Sequence, residues 1–245
     1  MIRRISYGVA VAMIGAVAAG AQQDNWGYSG ANGPSTWAQA SPTCAESMQS
    51  PVLIEGTEPV AMHELKINYS VSPLAMRNAQ HTLRFDYAAG NFMTVGAKIF
   101  QLKQFQFRTP AEHQVMNQRQ PMEIQFAHQS LSGETAVVSV LVAEGKASLA
   151  AEELLPHLPL EAGQSTNLPA VKINARDFMP SDKSYYRYMG SLTTPPCAQG
   201  VNWYVLKTPI QFSAEQIALV KGIMGENARP LQRRNNRIIL DARPQ

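Results

Sequence analysis

The sequence predicts a mainly β domain, one large twisted sheet with a few peripheral helices. Two observations point there. From Pro51 to Val142 the chain is a series of short strand-like runs separated by turn residues, among them Leu65–Tyr69, His81–Tyr87 and Ala136–Val142. Only two stretches carry helical spacing. A third observation limits the count: 245 residues, 45% hydrophobic and 16% charged, make one domain of ordinary globular composition.

In chain order, residues 1–21 read as a secretory signal. Arg3 and Arg4 form a positive n-region and Ile5–Ala18 an apolar run too short for a comfortable membrane span. Ala19-Gly20-Ala21 is a small-x-small cleavage site, so the expected mature domain is 22–245, periplasmic or secreted. No later segment is apolar enough to span a bilayer. The net charge of +3 is too mild, and the basic residues too scattered, to call for nucleic acid. Trp26-Gly27-Tyr28, Gly33-Pro34, Trp37 and Gln49-Ser50-Pro51 punctuate an irregular segment wrapped on a core. Cys44 and Cys197 are an even count in an exported chain, which suggests one disulfide, with two free thiols the alternative.

The stretch Gln101–Gln129 reads as two strands joined by a polar loop. Alternation puts Gln104, Gln106 and Arg108 on one face and Phe105 and Phe107 on the other. In the second strand Glu123, Gln125 and Ala127 share a face opposite Ile124 and Phe126. The rings mark the core face; the other is either solvated or a polar site. Further on, Ala147–Leu158 has helical character, stopped by Pro156 and Pro159. Ser213–Met224 is the second helix, with Ser213 as N-cap, Gln216 three residues on, and Ile217, Val220 and Met224 at helical spacing.

Several of these stretches together resemble the α-carbonic anhydrases of bacterial exported type. The opening W-x-Y…G-P…W and Q-S-P, the strand pair, Gly190-Ser191-Leu192-Thr193-Thr194-Pro195-Pro196, Gly200-Val201-Asn202-Trp203, and Asn227-Ala228-Arg229-Pro230 with Asn236-Arg237 follow the family's order over nearly all of the mature chain. The resemblance implies a central, mostly antiparallel ten-stranded sheet with a conical cleft reaching its centre. It also implies a Cys44–Cys197 pairing. His81 falls at the proton-shuttle position, with Gln80 where the family has Gly, and Ser47 replaces another family Gly. Thr193 falls at the position that passes a hydrogen bond to a glutamate, here Glu112. Ala127, Val138, Leu192, Val201 and Trp203 fall on the apolar wall of the cleft.

The departure lies at the three positions that hold zinc in that family. Here they are Gln106, Arg108 and Gln125. A catalytic zinc needs three good donors and one open position; glutamine is a poor donor, and arginine is a fixed cation with no lone pair to offer. Of the five histidines, His63 and His157 lie far from the stretch, His113 and His128 match buried structural positions, and His81 is single. No zinc and no cofactor are therefore expected, and no catalytic residue. Arg108 is expected to stand as the local cation, partnered by Glu112 and Glu123, with Gln106 and Gln125 supplying amide oxygens to its remaining donors. It then acts either as a packing plug or, with Gln104 and Thr194 alongside and Arg84 at the rim, as a site for a small anion. The function expected is a non-catalytic exported protein that binds a small anion, a glycan or a protein partner. The alternative is an active carbonic anhydrase with an unusual metal site, retained because His81, Glu112, Thr193 and the apolar wall are present. The resemblance leaves a homodimer open.

Overall fold

The computed structural model describes residues 26–244; the signal segment and the Gln22 start lie outside them. Ten strands form the main path of the sheet: β1 Glu58–Met62, β2 Ser72–Asn78, β3 Leu83–Asp86, β4 Lys98–Arg108, β5 Met122–Gln129, β6 Thr135–Glu144, β7 Ser165–Ile173, β8 Tyr185–Ser191, β9 Gln199–Leu206 and β10 Leu240–Pro244. Across the sheet they run β7-β2-β3-β4-β5-β6-β9-β8-β10-β1. Leu65–Asn68, Phe92–Val95 and Ile210–Phe212 add to it off that path, making a 13-stranded sheet. Most neighbours are antiparallel; β6–β9, β10–β1 and the pairing of Ile210–Phe212 with β6 are parallel.

The strand pair singled out in the sequence lies at the middle of this order. β4 and β5 are antiparallel, with Gln104 opposite Ala127, Gln106 opposite Gln125 and Arg108 opposite Glu123. Directly opposed residues share a face, so the register collects these six side chains on one side. The other side is aromatic core. Phe85 of β3 stacks on Phe105 at 4.6 Å, and Phe126 lies 5.5 Å from Phe105. The Phe105, Phe107 and Phe126 rings are fully buried there with Phe178 and Phe212. A ladder anchored by such rings resists slippage, because a one-residue slip would exchange the two faces.

Both helices form, the first shorter than its pattern. α1 is Trp37–Ala40 and α2 is Leu149–Leu154, capped by Ser148 and followed by a 3-10 turn over Leu155–His157 where Pro156 stops the α geometry. α3, Ala214–Met224, starts with a capping box between Ser213 and Gln216. The Gln216 amide also bonds both main-chain groups of Ser148, tying the two helix starts together. Cys44 and Cys197 form the disulfide, spanning 153 residues. It pins the N-terminal wrap to the turn after β8, beside the buried ring of Trp37. The turn before β3 keeps a left-handed residue: Gln80 sits at φ 66°, its N–H bonded to the Asn78 side chain at 3.2 Å. Glycine is replaced there without losing the conformation that favours it.

Candidate functional site

A cavity of about 150 Å³ opens over the polar face of β4 and β5. Gln104, Gln106, Arg108, Gln125, Thr193 and Thr194 form its polar part. Ala127, Val137, Leu192 and Trp203 form an apolar wall. Val138, expected on that wall, belongs to the opposite face: it pairs with Phe126 and lies in the main aromatic core. Val137, which pairs with Ala127, takes the place. Val201 packs behind the wall with Trp203 and Leu192.

Arg108 is 1% exposed and is held from several directions. Its Nε donates to Gln125 Oε1 at 3.3 Å and lies 3.6 Å from Glu112 Oε2. One terminal nitrogen, Nη1, donates to the Tyr28 hydroxyl at 2.9 Å and the Asn227 carbonyl at 3.5 Å. The other, Nη2, has no acceptor among the described residues, in a side chain that lines the cavity. Burial pulls the guanidinium pKa down, but Tyr28, Glu112 and Glu123 push it up further, and the net direction is upward. The group is a permanent cation.

Gln125 is the hub. Its amide NH2 donates to Glu112 Oε2 at 2.7 Å and to Glu123 Oε1 at 2.9 Å. Its oxygen accepts from Arg108 and from Gln106 Nε2 at 3.2 Å. A carboxamide is the side chain that gives two donors to two carboxylates while accepting from a guanidinium. Glu112 accepts also from the Arg229 main-chain N–H at 2.9 Å. The expected bond from Thr193 to Glu112 is not among these; Gln125 and the Arg229 main chain supply the hydrogen bonds that the carboxylate accepts.

Glu123 is deeper. It accepts from the main-chain N–H groups of Glu112 and His113, both at 2.9 Å, from Ser139 Oγ at 2.8 Å, and contacts His113 Nδ1 at 3.0 Å. Burial raises its pKa, but the His113 ring and N–H and the Gln125 amide more than reverse this, holding the carboxyl at about 2. His113 then reaches the Tyr188 hydroxyl at 2.8 Å, which donates to Ser50 Oγ. His128 bonds the Tyr69 hydroxyl, and burial lowers its ring to about 4. Both histidines are buried structural groups.

His81 is placed away from the cavity. Its ring packs 4.7 Å from Trp26 and 5.9 Å from Tyr28, lining a separate hollow with Trp26, Arg77 and Gln80. Arg84 lies opposite Gln106 in the β3–β4 ladder and pairs with Asp86 at 3.1 Å. Among the described residues no group of three His, Cys, Asp or Glu side chains is arranged to hold a metal. The sequence pattern does not mark Tyr28, Asn227, Ser139 or Val137 as site residues. Tyr28 and Asn227 lie about 80 and 119 residues from Arg108, and only the fold brings them to it.

The frame is thus a ten-strand sheet path with a cleft at its centre, built on β4 and β5 and roofed by the segment after β8. The profile for eukaryotic-type carbonic anhydrases matches residues 32–243, and the chain belongs to the α-carbonic anhydrase family. A carbonic anhydrase of Neisseria gonorrhoeae is 34% identical, over 91% of this chain and 90% of the relative. The structure of the Photobacterium profundum α-carbonic anhydrase superposes with a TM-score of 0.84 at 38% identity, covering 88% of this chain and 99% of that one. A crystal structure of dioscorin complexed with ascorbate superposes at 0.81 with 29% identity, covering 89% and 97%.

Proposed function

We propose that this chain is an exported, non-catalytic member of its family, with a binding cleft in place of a hydration centre. The observation that carries the reading is Arg108, buried between Glu112, Gln125 and Tyr28 on the strand pair where the family resemblance places zinc. The donor set does not fit that metal. Gln106 and Gln125 are weak donors already engaged with each other, and the guanidinium would set a permanent positive charge against a dication. A zinc-bound water loses its proton near neutral pH because of the metal's charge. The residues Glu112 and Thr193 have no such oxygen to serve, and Glu112 is instead the counter-ion of Arg108.

The cleft suits a small anion. Arg108 lines the cleft with one guanidinium nitrogen, Nη2, not bonded among the described residues, and both glutamates lie off the cavity lining. Dioscorin, on the same fold, is described as complexed with ascorbate, a small organic anion. The test is carbon dioxide hydration by the purified mature chain with zinc supplied in the buffer. The expected rate is that of buffer alone; acceleration proportional to protein concentration would overturn the reading.

A further inference from the structure

Resting on that metal-free reading, we infer that the central cavity is a site for a short-chain monocarboxylate, its carboxylate on Arg108 and its alkyl tail on the Val137–Leu192–Trp203 wall. Three features select this class among anions. The first is size: at about 30 Å³ per water-sized group, a cavity of about 150 Å³ holds roughly five such groups, the size of acetate to butyrate. The second is polarity. The lining joins the Arg108 guanidinium, whose Nη2 has no acceptor among the described residues, the amides of Gln104, Gln106 and Gln125, and the Thr193 and Thr194 side chains to an apolar part made of Ala127, Val137, Leu192 and Trp203. A purely inorganic anion would leave the apolar part filled with water or empty, whereas a carboxylate with a tail matches both parts. The third is the placing of charge. Glu112 and Glu123 do not line the cavity, so the guanidinium stands between them and a ligand. They hold Arg108 in place rather than repel what it binds, and a carboxylate oxygen can accept one charge-assisted hydrogen bond from Nη2 while a threonine hydroxyl donates to the other oxygen.

The experiment is a calorimetric titration of the intact mature protein with sodium formate, acetate, propionate, butyrate, bicarbonate and chloride at constant ionic strength, with zinc content measured on the same sample. Affinity is expected to rise about fourfold per added methylene up to propionate or butyrate, from about 0.8 kcal/mol per buried CH2, and to fall for longer acids as the cavity fills. Ala127→Leu, which takes up part of the cavity, is expected to weaken propionate and butyrate more than formate and so to abolish the gain with chain length. Arg108→Lys is expected to weaken the whole series at least tenfold. A metal-free sample that binds no carboxylate, or binds chloride as well as propionate, would overturn the inference and leave the non-catalytic reading standing. An Ala127→Leu variant with an unchanged chain-length series would overturn it also. One zinc per chain would overturn both.

Discussion

Replacing Arg108 with methionine isolates the buried ion pair at the centre of the cleft. The substitution keeps a similar stem and removes the guanidinium, with its 2.9 Å bond to Tyr28, its 3.3 Å bond to Gln125 and its 3.6 Å contact with Glu112. Glu112, 0% exposed, then keeps its Gln125 and Arg229 main-chain donors and the charge of the Arg229 guanidinium nearby, and loses the cation in contact with it. Stripping one partner from a fully buried pair costs about 3–5 kcal/mol. For a domain of this size that corresponds to a drop in Tm of roughly 6–20 °C. Urea denaturation of the wild type, Arg108→Met, Glu112→Gln and the double variant forms a complete cycle. The double variant is expected to be more stable than the sum of the singles predicts, by about 2–3 kcal/mol, since the two groups are in contact. A cost below about 1 kcal/mol for Arg108→Met, the range of an exposed pair, together with additive singles, would refute the view that Arg108 and Glu112 neutralise each other.

Acid should weaken the fold in two steps. His128, held at about 4 against an ordinary 6.5, keeps full stability above pH 6.5 and loses it as pH falls towards 4, while Glu123, held at about 2 against 4.5, loses its share between 4.5 and 2. Each step is on the order of 3 kcal/mol, and His128→Asn should flatten the upper one; a stability curve already level between pH 6.5 and 4 in the wild type would contradict this. Removing the disulfide with Cys44→Ser and Cys197→Ser should cost about 4–5 kcal/mol in the chain-entropy model, read by urea denaturation, and a loss under about 1 kcal/mol would contradict that model for this loop. Installing Gln106→His, Arg108→His and Gln125→His together should create a site that takes up one zinc per chain by elemental analysis, with Glu112 and Glu123 placed to accept ring N–H groups; failure in a folded variant would mean that β4 and β5 do not present these positions to one point.

The sheet and its strand pair were legible because each carries a strong local pattern. Gln104, Gln106 and Arg108 alternate with phenylalanines, and the ladder puts them opposite Ala127, Gln125 and Glu123. Ser213 and Gln216 announced α3 by a local capping rule. In β6 the wall residue is Val137, one position before the expected Val138. Val137 and Val138 are both valine and both buried, so alternation gave no sign of which faces the cleft. The helical pattern over Ala147–Leu158 overruns α2 because Pro156 allows a 3-10 turn beyond Leu154 while ending the α geometry. Tyr28 was read only as loop punctuation. Nothing local marks a tyrosine that will meet an arginine 80 residues later. The same holds for Gln125, whose place between two carboxylates becomes visible only when the β4–β5 corner folds Glu112 back over the strand.

The most direct measurement is the zinc content of the mature protein, by elemental mass spectrometry after purification without chelators. With Arg108 fixed against Glu112, well under one tenth of an equivalent per chain is expected. A full equivalent of zinc that survives dialysis would contradict it.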